Sequence, residues 1–169
     1  MSLIPRRKLM AVCCAAALTA CASTPTTGPV AEATLEARSG SKVAGTASFV
    51  SEMNKVRITA RVSGLTPGEH GFHVHDSGDC SAADASSAKG HFNPGGSSHG
   101  HHAGDMPNLV ADASGNASIS VELSQFELNE GPNGIIGRSV VVHADPDDYK
   151  SQPAGNSGQR VACGTIRLR

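Results

Sequence analysis

The chain has 169 residues, a formal net charge of −1 and 17% charged residues. That length fits one domain of ordinary size, and the balance lacks the basic excess that nucleic-acid binding needs. With one Tyr, four Phe and no Trp, any core must be built mainly from small aliphatic side chains.

At the N-terminus, Arg6, Arg7 and Lys8 precede the apolar run Leu9 to Leu18. A basic segment followed by an apolar one of this length reads as a secretory signal, too short to span a bilayer; a buried helix is the alternative. Leu18-Thr19-Ala20-Cys21 resembles the lipobox of bacterial lipoproteins, in which cleavage precedes the cysteine and the cysteine is lipidated. A plain secretory signal cut nearby is the other reading. On the lipobox reading residues 1–20 are the signal, residues 21–32 are lipidated Cys21 and a polar tether, and residues 33–169 are a single domain. Losing residues 1–20 leaves 11 Lys and Arg against 15 Asp and Glu, a net charge of −4. Attachment to a membrane then rests on the lipid alone. Cys13 and Cys14 leave with the signal. Cys80 and Cys163 remain, and an even pair in an exported protein makes a disulfide the default over two buried thiols.

Beyond the tether the pattern has period two. Val56, Ile58, Ala60 and Val62 alternate with Arg57, Thr59 and Arg61; Ala117, Ile119, Val121 and Leu123 alternate with Ser118, Ser120 and Glu122. Such alternation predicts strands with one buried face. "TPG" at 66–68 and "SGN" at 114–116 are turn signals. Val140 to Val142 is a short β-branched run, and Ile166 and Leu168 alternate with Arg167 and Arg169. No long 3.6-residue period follows the tether, so several short strands with Gly-rich turns predict an antiparallel sandwich or barrel.

Histidine is concentrated in two stretches. "GEHGFHVHDSGDC" (68–80) carries His73 and His75, which on a strand share one face while Phe72 and Val74 take the other. "HFNPGGSSHGHHAGD" (91–105) holds four of the eight histidines and ends on a carboxylate; its Gly and Ser content marks a loop. His143 ends the apolar run. Three strand-borne histidines suit copper or zinc, and three loop histidines with a carboxylate suit zinc. A chance His-x-His, a solvated polar loop and a structural His143 are the plainer readings of each piece taken alone.

Together the blocks "GFHVH", "GHFNP", "HAGD", "IIGRSVVVHADPDD" and "GNSGQRVACG", in this order over roughly Ala33 to Leu168, resemble those of the copper/zinc superoxide dismutases, in the bacterial exported branch. The resemblance implies an all-β fold, an eight-stranded Greek-key antiparallel sandwich or barrel with long metal-binding and active-site loops; the family is itself a standard instance of that architecture. It implies one copper and one zinc per chain. His73, His75, His91 and His143 match the copper ligands, and His91, His99, His102 and Asp105 the zinc ligands, with His91 bridging as an imidazolate. Asp147 matches the carboxylate that links a copper histidine to a zinc histidine, Cys80 and Cys163 the intrachain disulfide, and Arg160 the arginine beside the copper. Only Gly100 and His101 separate the second and third zinc positions, where relatives often have a longer excursion, so His101 and His102 compete for the third. His70, at odd spacing from His73, is expected to face away from the copper.

The implied activity is disproportionation of superoxide to dioxygen and hydrogen peroxide. Copper changes oxidation state, zinc is structural, His91 releases copper and carries a proton, and Arg160 draws in the anion. Protection of the cell envelope from extracytoplasmic superoxide follows from export. A copper-delivery lipoprotein on the same sandwich is the competing reading, but it needs neither Arg160, nor a bridging His91, nor Asp147. A monomer and a homodimer both fit the sequence.

Overall fold

The computed structural model describes residues 30–169. The expected signal, Cys21 and the tether up to residue 29 lie outside the described residues. Strand β1 covers Val30–Ala37, so strand structure begins slightly ahead of Ala33 and takes in the end of the expected tether. Strand β2 is Ala44–Glu52 and β3 is Lys55–Ser63. In β3, Val56, Ile58, Ala60 and Val62 are buried while Arg57 and Arg61 face solvent. A reversed register would turn all four apolar side chains to water, so alternation fixes the pairing.

Next come β4 (Gly68–His70), β5 (Phe72–His75), β6 (Leu109–Ala111), β7 (Ala117–Leu123), β8 (Ser139–His143), β9 (Arg160–Thr165) and β10 (Arg167–Leu168). Their order in the sheet is β4-β6-β7-β3-β2-β1-β9-β8-β5, with β10 paired to β1, and every pairing between these strands is antiparallel. The β4–β5 pair flanks Gly71 and the β9–β10 pair flanks Ile166, each continuing one strand across a single residue. Eight strands therefore form the barrel, as expected. Because β4 and β5 are consecutive, the two ends of the sheet meet at Gly71, where its N–H donates to Asp145 O and its carbonyl accepts from His143 N–H.

The core follows the composition. All four phenylalanines are buried, packed among Leu35, Ile58, Met106, Leu109, Ile135 and Ile166. The run Val140–Val142 is buried on both faces of β8: Val140 and Val142 join the main core, and Val141 packs with Ala85, Ala88 and Cys163 in a second cluster. A continuous apolar run is what a doubly covered strand requires. The cover here is the segment after β5, fixed by the Cys80–Cys163 disulfide, whose Cα atoms are 5.8 Å apart. One expectation fails at the C-terminus. Ile166 is buried, but Leu168 is 54% exposed, because β10 pairs only with the first residues of β1, Ala31 and Glu32, at the edge of the sheet.

The free side of β5 is covered by the His-rich loop. Val74 N–H donates to Gly104 O, Phe92 N–H to Val74 O and Asp76 N–H to Gly90 O, each at 2.9 Å. Gly104 is required by closeness: a Cβ there would collide with Val74 O and Phe92 N. Close packing against β5, rather than a turn of the backbone, is what requires glycine here.

Candidate metal centre

The pleat of β5 sends Phe72 and Val74 into the core and His73 and His75 to the opposite face, where they stand across from Val141 and Ser139 of β8. His143 ends β8 beside them. His91 opens the loop and lies opposite His75 in an isolated bridge, and Asp105 closes it opposite His73. Two donor clusters result, His73–His75–His91–His143 and His91–His99–His102–Asp105, the donor atoms of each lying within 4.8 Å of one another. They share His91. His101 is exposed, so the structure brings His102, and not His101, to the second cluster. His70 faces away from both, its Nδ1 2.9 Å from His143 O and its Nε2 2.8 Å from Thr66 O.

Hydrogen bonds decide which ring nitrogens are bare. Asp147, with its side chain fully buried, accepts from His73 Nε2 at 2.8 Å and from His99 Nε2 at 2.7 Å. Each ring carries its proton there, so each Nδ1 keeps its lone pair. His75 Nδ1 donates to Lys89 O at 2.9 Å, and His143 Nδ1 faces Gly158 O at 3.4 Å. Their Nε2 atoms then meet at 3.4 Å, lone pair to lone pair. Asp105 Oδ2 accepts from the N–H groups of Gly100 and His102, each at 2.9 Å. Its Oδ1 is left 2.8, 3.5 and 3.4 Å from the Nδ1 atoms of His91, His99 and His102.

Four buried ring nitrogens have no hydrogen-bond partner: His73 Nδ1, His91 Nε2, His99 Nδ1 and His102 Nδ1. Buried polar atoms are normally satisfied, because leaving one bare costs about 1–3 kcal/mol. Donors about 2.0–2.1 Å from one ion at a tetrahedral angle stand about 3.3 Å apart, close to the separations around Asp105 Oδ1 and between His75 and His143. Bare imidazole nitrogens facing one another at ligand spacing fit cations in both clusters.

The electrostatics agree. Burial holds His73 down to about 4, helped by the His91 charge and opposed by Asp147. Burial also holds His75 and His143 well below the ordinary imidazole value, with each other's neighbours and Arg160 adding to it. Burial lowers His102 as well. Burial pushes Asp147 upward, but the donors His73, His99 and Tyr149 N–H outweigh it and keep the carboxyl well below its usual range. His73, His75, His102 and His143 are thus biased towards neutral rings and Asp105 and Asp147 towards ionised carboxylates, the protonation that metal binding requires.

Arg160, half-buried at the start of β9, donates through Nη1 to Ala85 O and through Nη2 to Lys89 O, both at 2.6 Å. Lys89 O thus serves both His75 and Arg160. Sequence reasoning missed these two carbonyls, and a backbone acceptor leaves no residue signature. It also missed Asn108, whose side chain pairs with the backbone of Asp147 through Oδ1 and Nδ2, both at 3.0 Å, and Gln152, whose Oε1 accepts from His99 N–H at 3.0 Å.

A barrel with two histidine clusters sharing one imidazole defines a dinuclear metalloprotein. The family model described as copper/zinc superoxide dismutase (SODC) matches residues 43–166. "Superoxide dismutase [Cu-Zn] 2" of Aquifex aeolicus is 42% identical over 137 residues, covering 75% of this chain and 80% of that protein. "Extracellular superoxide dismutase [Cu-Zn]" of Brugia pahangi is 44% identical over 139 residues, covering 73% of this chain and 69% of that protein. A crystal structure described as that of the clock protein EA4 superposes with a TM-score of 0.75 at 39% identity, covering 87% of this chain and 97% of that one. The chain belongs to the copper/zinc superoxide dismutases, an enzyme family, and copper and zinc are its cofactors.

Proposed function

We propose that the protein disproportionates superoxide, taking two superoxide ions and two protons to one dioxygen and one hydrogen peroxide. The observation that carries this is the pair of donor clusters joined at His91. His73, His75, His91 and His143 are the copper set, and His91, His99, His102 and Asp105 the zinc set. When bound, copper supplies one-electron exchange, while zinc supplies a fixed charge without redox chemistry. Asp147 fixes the tautomers of His73 and His99. His91 holds a proton at Nε2 in one half of the cycle and gives it up in the other, as its position between the clusters allows. Arg160 attracts the anion, and its guanidinium is fixed by the carbonyls of Ala85 and Lys89. The experiment is metal content per chain together with superoxide removal, before and after chelation. Activity that survives removal of both metals overturns the reading.

We further infer that the protein acts outside the cytoplasm, from the signal-like N-terminus and the Cys80–Cys163 disulfide, and protects the envelope there. The Brugia relative is named as extracellular. Cys21 carries the lipid anchor. Replacing Cys21 by Ser is expected to release a soluble domain of unchanged activity, measured by fractionation. Retention in the membrane fraction would reject the anchor.

A further inference from the structure

His101 is the loop histidine that the two metal sets leave over. Its ring takes no part in the ion pairs with Asp105 or the bond to Asp147 that occupy His91, His99 and His102. Its backbone, however, is closely held. Gly100 N–H and His102 N–H, on either side of it, both donate to Asp105 Oδ2 at 2.9 Å. His101 N–H itself donates to Ser98 O at 3.1 Å. The turn is seated on the segment after β8, where a Cβ at Gly100, φ 88°, would collide with Tyr149 O. An exposed imidazole on a main chain fixed in this way has a defined place.

That place is the wall of a surface cavity of about 370 Å³, which Asn93 and Gln125 also line. His102 and Asp105 line the same cavity. Both are half-buried, whereas His101 and Gln125 are exposed, so the cavity runs from His101 inward to two of the zinc-set donors. Behind them lie His91 and His99, only 8% and 3% exposed, and Asp147 closes the far side of His99. A metal site needs an entry path as well as ligands, and this cavity supplies one. A hydrated cation must exchange water for protein donors one at a time, and a recessed set cannot offer its first donor to an ion still at the surface. We propose that His101 is a transient zinc ligand, which captures the ion at this cavity and passes it to His102 and Asp105. The handover is a ligand substitution: water leaves as the His101 ring binds, and that ring leaves as the recessed donors bind, with no change of oxidation state. It rests on the zinc assignment made under the proposed function.

A contact made only in passage speeds entry and exit equally and leaves the equilibrium alone. The test follows zinc in the full chain, as wild type, His101→Ala and His101→Asp. Uptake by metal-free protein is read by stopped flow against a coloured zinc indicator, and release is read from zinc-loaded protein into excess chelator. His101→Ala is expected to slow both by the same factor, about three- to tenfold, with zinc stoichiometry, affinity and the melting temperature of the loaded protein unchanged. His101→Asp, which keeps a donor at the same point, is expected to restore both rates. Equal rates in wild type and His101→Ala overturn the proposal, and so does an Asp variant as slow as Ala. Faster release with weaker binding in His101→Ala also overturns it, because the ring would then be a resident ligand. If the wild type itself binds no zinc, the zinc assignment fails; if the wild type binds zinc and His101→Ala takes it up as quickly, only the role of His101 falls.

Discussion

Adjacent residues can have opposite fates, and His101 and His102 are the plainest case. His102 Nδ1 lies 3.4 Å from Asp105 Oδ1 while its own N–H donates to Oδ2 of the same carboxylate at 2.9 Å. One aspartate thus fixes the backbone and, on the proposed zinc assignment, would share the ion with His102, while His101 is left exposed. His102→Ala should therefore lose most bound zinc and His101→Ala should keep it, as measured by zinc stoichiometry of the purified proteins. Zinc retained in His102→Ala and lost in His101→Ala would reverse the roles. Asp147 works the same way on a larger span: its two oxygens fix one ring in each cluster.

Among elements, the segment after β5 depends on covalent attachment. It contains no strand, only one short 3-10 turn at Ser86–Ala88. Besides the disulfide, it is fastened by Arg38 Nε, which donates to Cys80 O at 2.7 Å, and by Thr165 Oγ1, which donates to Gly78 O at 2.6 Å. The bond joins residues 83 apart in sequence. Reduction should destabilise the domain by about 2–5 kcal/mol, read as a lower melting temperature with reductant than without; equal values would contradict it. This segment also marks the limit of what sequence reveals. Strands β3, β7 and β8 were legible because burial imposes a period or a run on the residues that form them. The two histidine clusters were legible because ligands are specific residue types at specific spacings. The carbonyls of Ala85 and Lys89, the Asn108 pairing and the exposure of Leu168 were not. Each depends on where a remote strand or loop lies, and the local residue types carry no trace of it.

The whole molecule sets the protonation of its site. An imidazole in the unfolded chain titrates near 6.5, whereas burial holds His73 down to about 4 and holds His75 and His143 well below 6.5. Between these values the unfolded chain binds protons that the folded metal-free domain refuses, so stability rises with pH across the window. The contribution of these histidines is full above 6.5 and is lost as pH falls towards their folded values. Asp105 and Asp147, both lowered in the fold, stay ionised through this window, and their contribution fails only at lower pH. Urea midpoints of the metal-free domain should fall from about pH 7 to about pH 5. A flat midpoint would mean that these rings are not buried as neutral groups.

The loop that carries His91, His99, His102 and Asp105 is also the cover of β5, joined to it through Val74, Gly104 and Phe92. On the proposed zinc assignment, its fastening to the barrel depends partly on the ion that these residues would hold. If metal is stripped and the loop lifts, the N–H and C=O groups of β5 become an open template for another chain, which proteins ordinarily conceal. Solubility then becomes a property of metal loading. Chelated protein should form dimers and larger species at concentrations where the loaded protein stays dispersed, and re-addition of zinc should prevent this. Light scattering on matched loaded and stripped samples tests it, and equal scattering would mean that the backbone bonds hold the loop without the ion.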